Sequence, residues 1–397
     1  MKYGTKEKIR IAYFGTFFPN FLRNAPINTG LVYLLQLSKE ISNIDLYSTR
    51  DAILPMGFSS RVNLINSWEI DDVVSIIRTL VKMYLRRSIT ESYFFNLSLS
   101  NQGKSKIVNF VSLICPIILS ISTRKRVLVY LHELIETLDF PAIGLKKPNF
   151  FIFSLVKLLE RLLILKTKVV LPMFFQLDSL EGKYRRSVKQ LYFPYAEAVW
   201  AFDIFYHSVE QINTSNIVFI PKILLFGSWG PKKDILGLLK VLEELKKSGL
   251  EFDLTIAGSI NSNFADYSDK LMPALESISK YGAKIILMPN EEKVPDIFMN
   301  ADGIILPYLT SVGISGVMNI AAFYDLSIIS YDLPELRQFN SMIGARTIFI
   351  KPNDILSLKE AIMNVKKISS AERTNTIRLK RYDAIEKINQ LVKYLLD

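Results

Sequence analysis

Residues Ala301–Leu336, ADGIILPYLTSVGISGVMNIAAFYDLSIISYDLPEL, read as strand, glycine-bearing loop, helix, strand and loop in succession. Ile304–Leu306 is a short apolar run suited to a buried parallel strand. Gly313, Ser315 and Gly316 then open a helix expected over Val317–Phe323, with a second β-rich run at Ser327–Ser330 and Pro334 behind it. In an open α/β sheet the loop that leaves a strand and enters a helix lies at the carboxyl edge, where ligands bind. Small residues there let a ligand approach the backbone, and the free N–H groups of the first helical turn attract an anion. The plainer reading makes Ser315 an N-cap and nothing more.

Working outward, the pattern recurs twice. Ile223–Phe226 reads as a strand ending at Gly227, followed by a loop over Ser228–Lys233 and a helix over Ile235–Lys247 with a helical apolar period. Asp253–Ala257, ending at Gly258, and Lys284–Met288 supply two further strands, and Glu291–Met299 a short acidic helix. In the first half, Arg10–Phe14 ends at Gly15. A loop over Thr16–Thr29 carries Pro19, Arg23 and Pro26, and a helix is expected over Gly30–Ile41 before a strand at Ile44–Tyr47. RVLVYL (Arg126–Leu131) is a strand running straight into His132 and Glu133, and Lys168–Leu171 is another. Tyr195–Ser215 reads as irregular, and the last segment as helical, with Leu391, Tyr394 and Leu395 free to pack on either half. Two doubly wound Rossmann-like halves in series follow from this order. The expected divisions are 1–205, 206–378 and a terminal helix over 379–397.

With 397 residues, the chain calls for two domains. Its 49% hydrophobic and 22% charged content can build large cores and excludes disorder. The single cysteine, Cys115, rules out an internal disulfide framework and a cysteine-based zinc cluster. With only His132 and His207 as histidines, no metal centre is expected. The net charge of +11, from 49 Lys+Arg against 38 Asp+Glu, suits a polyanionic partner such as a phosphorylated ligand or an anionic lipid surface. Nucleic acid is not expected, because the bases are scattered and no binding motif accompanies them. MKYGTKEKIR runs directly into IAYFG without a cleavable apolar core, so a cytoplasmic location is expected. The apolar run Ile107–Ser122 is too short to span a bilayer and reads as buried secondary structure. Phe150–Lys166, FFIFSLVKLLERLLILK, reads as a core helix with a polar face at Lys157, Glu160 and Arg161; the competing reading lays it on a membrane surface.

Several blocks carry a family likeness. FGSWGPKKDILGLLKVLEEL (226–245), LTIAGS (254–259), VPDIFMNADGIILPY (294–308) and SGVMNIAAFYDLSIISYDLPELRQF (315–339) resemble the nucleotide-binding half of GT-B fold glycosyltransferases, in particular the retaining family 4 enzymes. GTFFPNFLRN (15–24) and VYLHEL (129–134) are similar to that family's first glycine turn and histidine-bearing strand end. The resemblance implies a GT-B architecture, two Rossmann-like domains facing across a cleft. It further implies transfer of a hexose from a nucleotide diphosphate sugar to a glycan or lipid-linked acceptor, with no metal and no other cofactor. Lys233 falls on the family's phosphate-binding lysine, and His132 on a residue that contacts the transferred sugar or acceptor. The donor would be held by Gly15, Thr16, Gly227, Ser228, Lys232, Lys233, Gly258, Gly313, Ile314, Ser315, Gly316, Val317 and Asn319. Arg23 and Glu133 would face the acceptor, and a lipid-linked acceptor permits work at the inner face of the cell membrane.

Three departures stand against the family pattern. The usual arginine after the glycine is Ser228. The Glu-x7-Glu pair is missing, its members falling near Val312 and near Asn319 or Ile320. The glycine before the last strand is replaced near Asp325. Such losses leave two alternatives: a divergent donor site, or a catalytically impaired protein that binds a glycan or nucleotide sugar.

Overall fold

A computed structural model describes residues 9–15, 26–69, 72–97, 106–132, 134–137, 147–171, 178, 180–190, 195–206, 219–260, 265–310 and 315–396. The chain forms two compact units, Met1–Trp200 with Tyr382–Asp397, and Ala201–Arg381.

The first unit is built on a seven-stranded, all-parallel sheet. Its strands are β1 (Ile9–Phe14), β2 (Ile41–Thr49), β3 (Val62–Trp68), β4 (Ser92–Leu97), β5 (Arg126–Leu131), β6 (Lys168–Leu171) and β7 (Val188–Gln190), in the order β3-β2-β1-β4-β5-β6-β7. The central β4, SYFFNL, is buried along its whole length, as expected of a parallel strand covered on both faces. Helices Val73–Leu85, Lys106–Thr123 and Phe150–Lys166 pack side by side over one face, burying Ile76, Met83, Leu119 and Leu163 against Phe14, Phe95 and Val129. The order reverses between β1 and β4, which opens a crevice at their carboxyl ends.

The second unit carries a six-stranded parallel sheet: β8 (Lys222–Trp229), β9 (Asp253–Ile260), β10 (Lys284–Leu287), β11 (Gly303–Leu306), β12 (Ser327–Tyr331) and β13 (Thr347–Ile350), ordered β10-β9-β8-β11-β12-β13. The expected helix Ile235–Lys247 is present at those limits. Its Leu238, Leu242 and Leu245 pack on Ile223, Leu225 and Ile256. Here the reversal falls between β8 and β11.

Several expectations need correction. The first helix runs Pro26–Leu37, not Gly30–Ile41, and Ile41 already opens β2. Ser38 N–H bonds the Leu35 carbonyl at 3.1 Å, a tight turn that ends the helix early. Tyr195–Ser215 is not irregular throughout: Ala196–Phe205 is helical, and its Trp200 donates its indole N–H to the Met56 carbonyl at 3.1 Å. β8 and β9 do not stop at Gly227 and Gly258 but pair in register to Trp229 and Ile260. The terminal helix, Ser370–Leu396, places Tyr394 against Lys168 and Lys189 of the first unit.

The largest correction concerns Phe150–Lys166. Its limits are as expected, with Asn149 capping the Ile152 N–H at 2.9 Å. Leu159, Leu163 and Ile164 are buried as a core helix requires, but the polar face is not where it was expected. Glu160 is 0% exposed and Arg161 is 5% exposed, whereas Phe150 is 86% and Phe151 74% exposed, with Leu158, Leu162 and Leu165 also outward. The buried charges are tolerated because they are partnered. Glu160 accepts the Ile135 backbone N–H at 2.8 Å, and Arg161 meets Glu136 at 2.7 Å.

Candidate functional site

The loops leaving β8 and β11 are stitched together at the second reversal point. After Trp229 the chain turns at Gly230, whose carbonyl accepts the Lys233 N–H at 3.0 Å. Lys233 then pairs with Tyr308 in a short antiparallel bridge. Asp234 N–H bonds the Pro307 carbonyl at 2.8 Å, and Leu309 N–H bonds the Lys232 carbonyl at 2.9 Å. Asp234 also caps the following helix through Gly237 N–H at 3.1 Å and accepts the Tyr331 hydroxyl at 3.2 Å. These bonds fix the backbone of Lys233 from both sides.

Gly227 explains where the Lys233 side chain goes. Its φ of +129° is a backbone setting that side-chain-bearing residues rarely adopt. A Cβ there would lie 2.9 Å from Lys233 Nζ and 3.3 Å from Val317 Cγ2. The missing side chain therefore leaves room for the ammonium group beside Gly227, with the Val317 side chain close to the same point. A Cβ at Gly258 would fall 2.0 Å from the Gly227 carbonyl oxygen, so the neighbouring strand also needs glycine to let β8 come close.

Lys233 Nζ sits 5.0 Å from the centre of the Tyr308 ring. Ser315 donates its hydroxyl to Tyr308 Oη at 3.1 Å and accepts the Met318 N–H at the same distance. With Asn319 N–H bonded to the Ser315 carbonyl, Gly316 and Val317 are the first-turn amides that have no intrahelical acceptor. Tyr308 thus links the lysine ammonium, through its ring, to the N-cap serine of a helix whose first two amides are open. Partial positive charge at the helix terminus adds to the lysine, and the arrangement suits a phosphate or diphosphate. No ion pair engages Lys233 among the described residues.

Of the residues singled out from sequence, Gly227, Lys233, Ser315, Gly316 and Val317 are brought together here. Ser228 is exposed at the end of β8, and Lys232 adjoins through its backbone. Asn319 is buried on the inner side of its helix at 4% exposure, and Ile320 beside it at 8%, so neither offers an open substitute for a family carboxylate. Asp325, where the family has glycine, takes the left-handed φ of +58° itself, held by Arg346 at 3.3 Å and Lys380 at 3.5 Å. Thr16, Arg23, Glu133, Val312, Gly313 and Ile314 lie outside the described residues. Sequence reading missed Tyr308 and Asp234. A tyrosine two residues beyond an apolar strand and an aspartate before a helical period were the signals available.

In the first unit, Gly15 ends β1 with its N–H on the Tyr47 carbonyl at 3.3 Å. His132 follows β5, its N–H on the Leu97 carbonyl at 3.0 Å and its Nε2 2.6 Å from Asn96 Oδ1. Its ring stands edge-on to Tyr130 at 4.9 Å. Burial lowers its pKa to about 4, which favours the neutral imidazole. Burial also raises Glu197 to about 7.

A groove of about 440 Å³ lies at the opposite end of the second sheet, lined by Lys222, Thr255, Lys284 and Asp296. It opens at the amino ends of the strands, whereas ligands of open α/β sheets bind at the carboxyl ends. Among the described residues no cluster of acidic, cysteine or histidine side chains could hold a metal ion.

A pair of doubly wound parallel sheets in tandem defines the GT-B fold, and known structures bear this out. No protein-family model matches the sequence, and no curated protein does. A glycosyltransferase from Rickettsia africae superposes with a TM-score of 0.60 at 12% identity, covering 98% of each chain. Anabaena Alr3699/HepE in complex with UDP and glucose gives 0.58 at 11% identity, covering 98% of this chain and 99% of that one. A Listeria monocytogenes protein described as a putative UDP-N-acetylglucosamine 2-epimerase gives 0.59 at 10% identity, covering 97% and 95%. At such identities the likeness establishes the fold alone.

Proposed function

We propose that the chain is a retaining glycosyltransferase that moves a hexose from a nucleotide diphosphate sugar to a glycan or lipid-linked acceptor, without a metal. The observation that carries this reading is Lys233 Nζ lodged beside Gly227, where the Val317 side chain of the helix Gly316–Phe323 also comes close. That two structures of this fold are complexes with UDP and with UDP-glucose supports the same ligand class.

The chemistry follows from charge. As the glycosidic bond breaks, the leaving diphosphate gains negative charge. A lysine and oriented N–H groups already in place stabilise that charge more than they stabilise the bound donor. With this cationic set, the leaving group needs no metal ion. Neutral His132, held by Asn96, would hydrogen-bond a sugar hydroxyl and would not act as an acid. Asp234 and Tyr308 would position Lys233 and touch no substrate.

The test is turnover and binding across a panel of common sugar nucleotides. Release of nucleoside diphosphate with an anomer-retaining product supports the proposal. Binding without turnover across the panel would instead mark a protein that recognises nucleotide sugars without acting on them. Absence of both would overturn it.

A further inference from the structure

The three helices that cover one face of the first sheet show an unusual outer surface. On Val73–Leu85 the outward residues Val74, Ile77, Val81 and Leu85 form an apolar stripe at helical spacing. The middle helix, Lys106–Thr123, adds Ile118 and Ile121, and the third begins with the exposed pair Phe150 and Phe151. The three pack in a row, and all of these residues are exposed. Soluble monomers rarely leave so much apolar surface uncovered without using it.

Within these three helices the exposed charge is one-sided. The only acid in the three helices is Glu160, and it is fully buried. The outward bases sit beside outward apolar residues, as in Ile77–Arg78, Val81–Lys82 and Leu165–Lys166. That interleaving matches the boundary between acyl chains and anionic headgroups: the apolar side chains reach inward while the long basic ones stay level with phosphate. Helix Gly182–Ser187, packed on the third helix, adds Lys183 and Arg186. No helix among the described residues is long and apolar enough to cross a membrane, so any such contact is made from the surface.

We infer that this helical face docks flat on a bilayer rich in anionic phospholipid. The inference concerns the first unit and stands independently of the anion site in the second.

Sedimentation of the full chain with vesicles tests it. Vesicles of phosphatidylcholine with about 30% phosphatidylglycerol should bind at least about tenfold more strongly than phosphatidylcholine alone, since each cation near such a surface contributes about fivefold. Phe150→Ser with Phe151→Ser should lower that binding about tenfold or more. Both rings are exposed, so the melting temperature should not change. Arg78→Glu with Lys82→Glu should lower it similarly and weaken its salt dependence. UDP affinity, read separately, should not move in either variant. Failure to bind anionic vesicles, or binding that ignores both pairs of substitutions, overturns the inference. So does light scattering that shows a dimer dissolved by the two serines, since a second copy would then cover the face.

Discussion

Replacing Lys233 by alanine separates a ligand-binding lysine from a structural one. In the folded chain its Nζ makes a ring contact with Tyr308 at 5.0 Å, and no ion pair holds it among the described residues. Losing that contact costs about 0.5–1 kcal/mol of stability. For a unit of this size the melting temperature should fall by only ~1–4 °C. A charge-assisted hydrogen bond to phosphate contributes about 1.5–3 kcal/mol. The dissociation constant for UDP should therefore rise about 10- to 150-fold. Some binding should survive, because the Gly316 and Val317 N–H groups are untouched. Titration calorimetry at two ionic strengths, beside a thermal melt, reads all of this. The wild type should lose more affinity to salt than the variant, since screening acts on the charge removed. A UDP affinity changed by less than about threefold, together with a melt lowered by far more than a single exposed contact is worth, would refute the assignment and make Lys233 a structural residue.

Other substitutions probe the surroundings. Gly227→Ala puts a side chain into a left-handed backbone and against Lys233 Nζ, so it should cost about 1–3 kcal/mol in a denaturant melt and weaken UDP binding as well. Ser315→Ala removes an N-cap and should lower stability by about 1 kcal/mol. Ser315→Asp should restore that stability yet repel UDP, a split that calorimetry and melting together can detect. Glu197→Gln should alter the pH dependence of stability. Burial raises the folded pKa to about 7 from 4.5, so between those values the unfolded chain is ionised while the folded chain keeps its proton. Wild-type stability therefore falls as pH rises through that window, and the advantage of Glu197→Gln should grow from pH 4.5 and level off above 7. Partial exposure of the residue holds the gain to ~1–2 kcal/mol. An advantage that is flat across this range would sink the assignment.

What the sequence revealed and what it hid divide along the range of the forces involved. RVLVYL and KVVL are strands at their expected limits because a continuous apolar run buried on both faces is a local signal. The ends of Phe150–Lys166 were equally legible, since Asn149 is a local cap. Its orientation was not. Glu160 and Arg161 turn inward to partners some 25 residues back in the chain, and periodicity counts them as surface. Gly227, Lys233 and Ser315 could be placed by motif, but Tyr308, which links them, became visible only when β8 and β11 stood side by side. His132 shows the same limit: its position was readable, while its low pKa comes from burial that no spacing reveals.

The account rests on an anion held between Lys233 and the first turn of Gly316–Phe323. A crystal structure of the chain saturated with a UDP-sugar tests this most directly. The account predicts a diphosphate oxygen within hydrogen-bonding distance of Lys233 Nζ and another on the Gly316 or Val317 amide. A nucleotide bound elsewhere on the chain, or a diphosphate that leaves these groups in water, would contradict it.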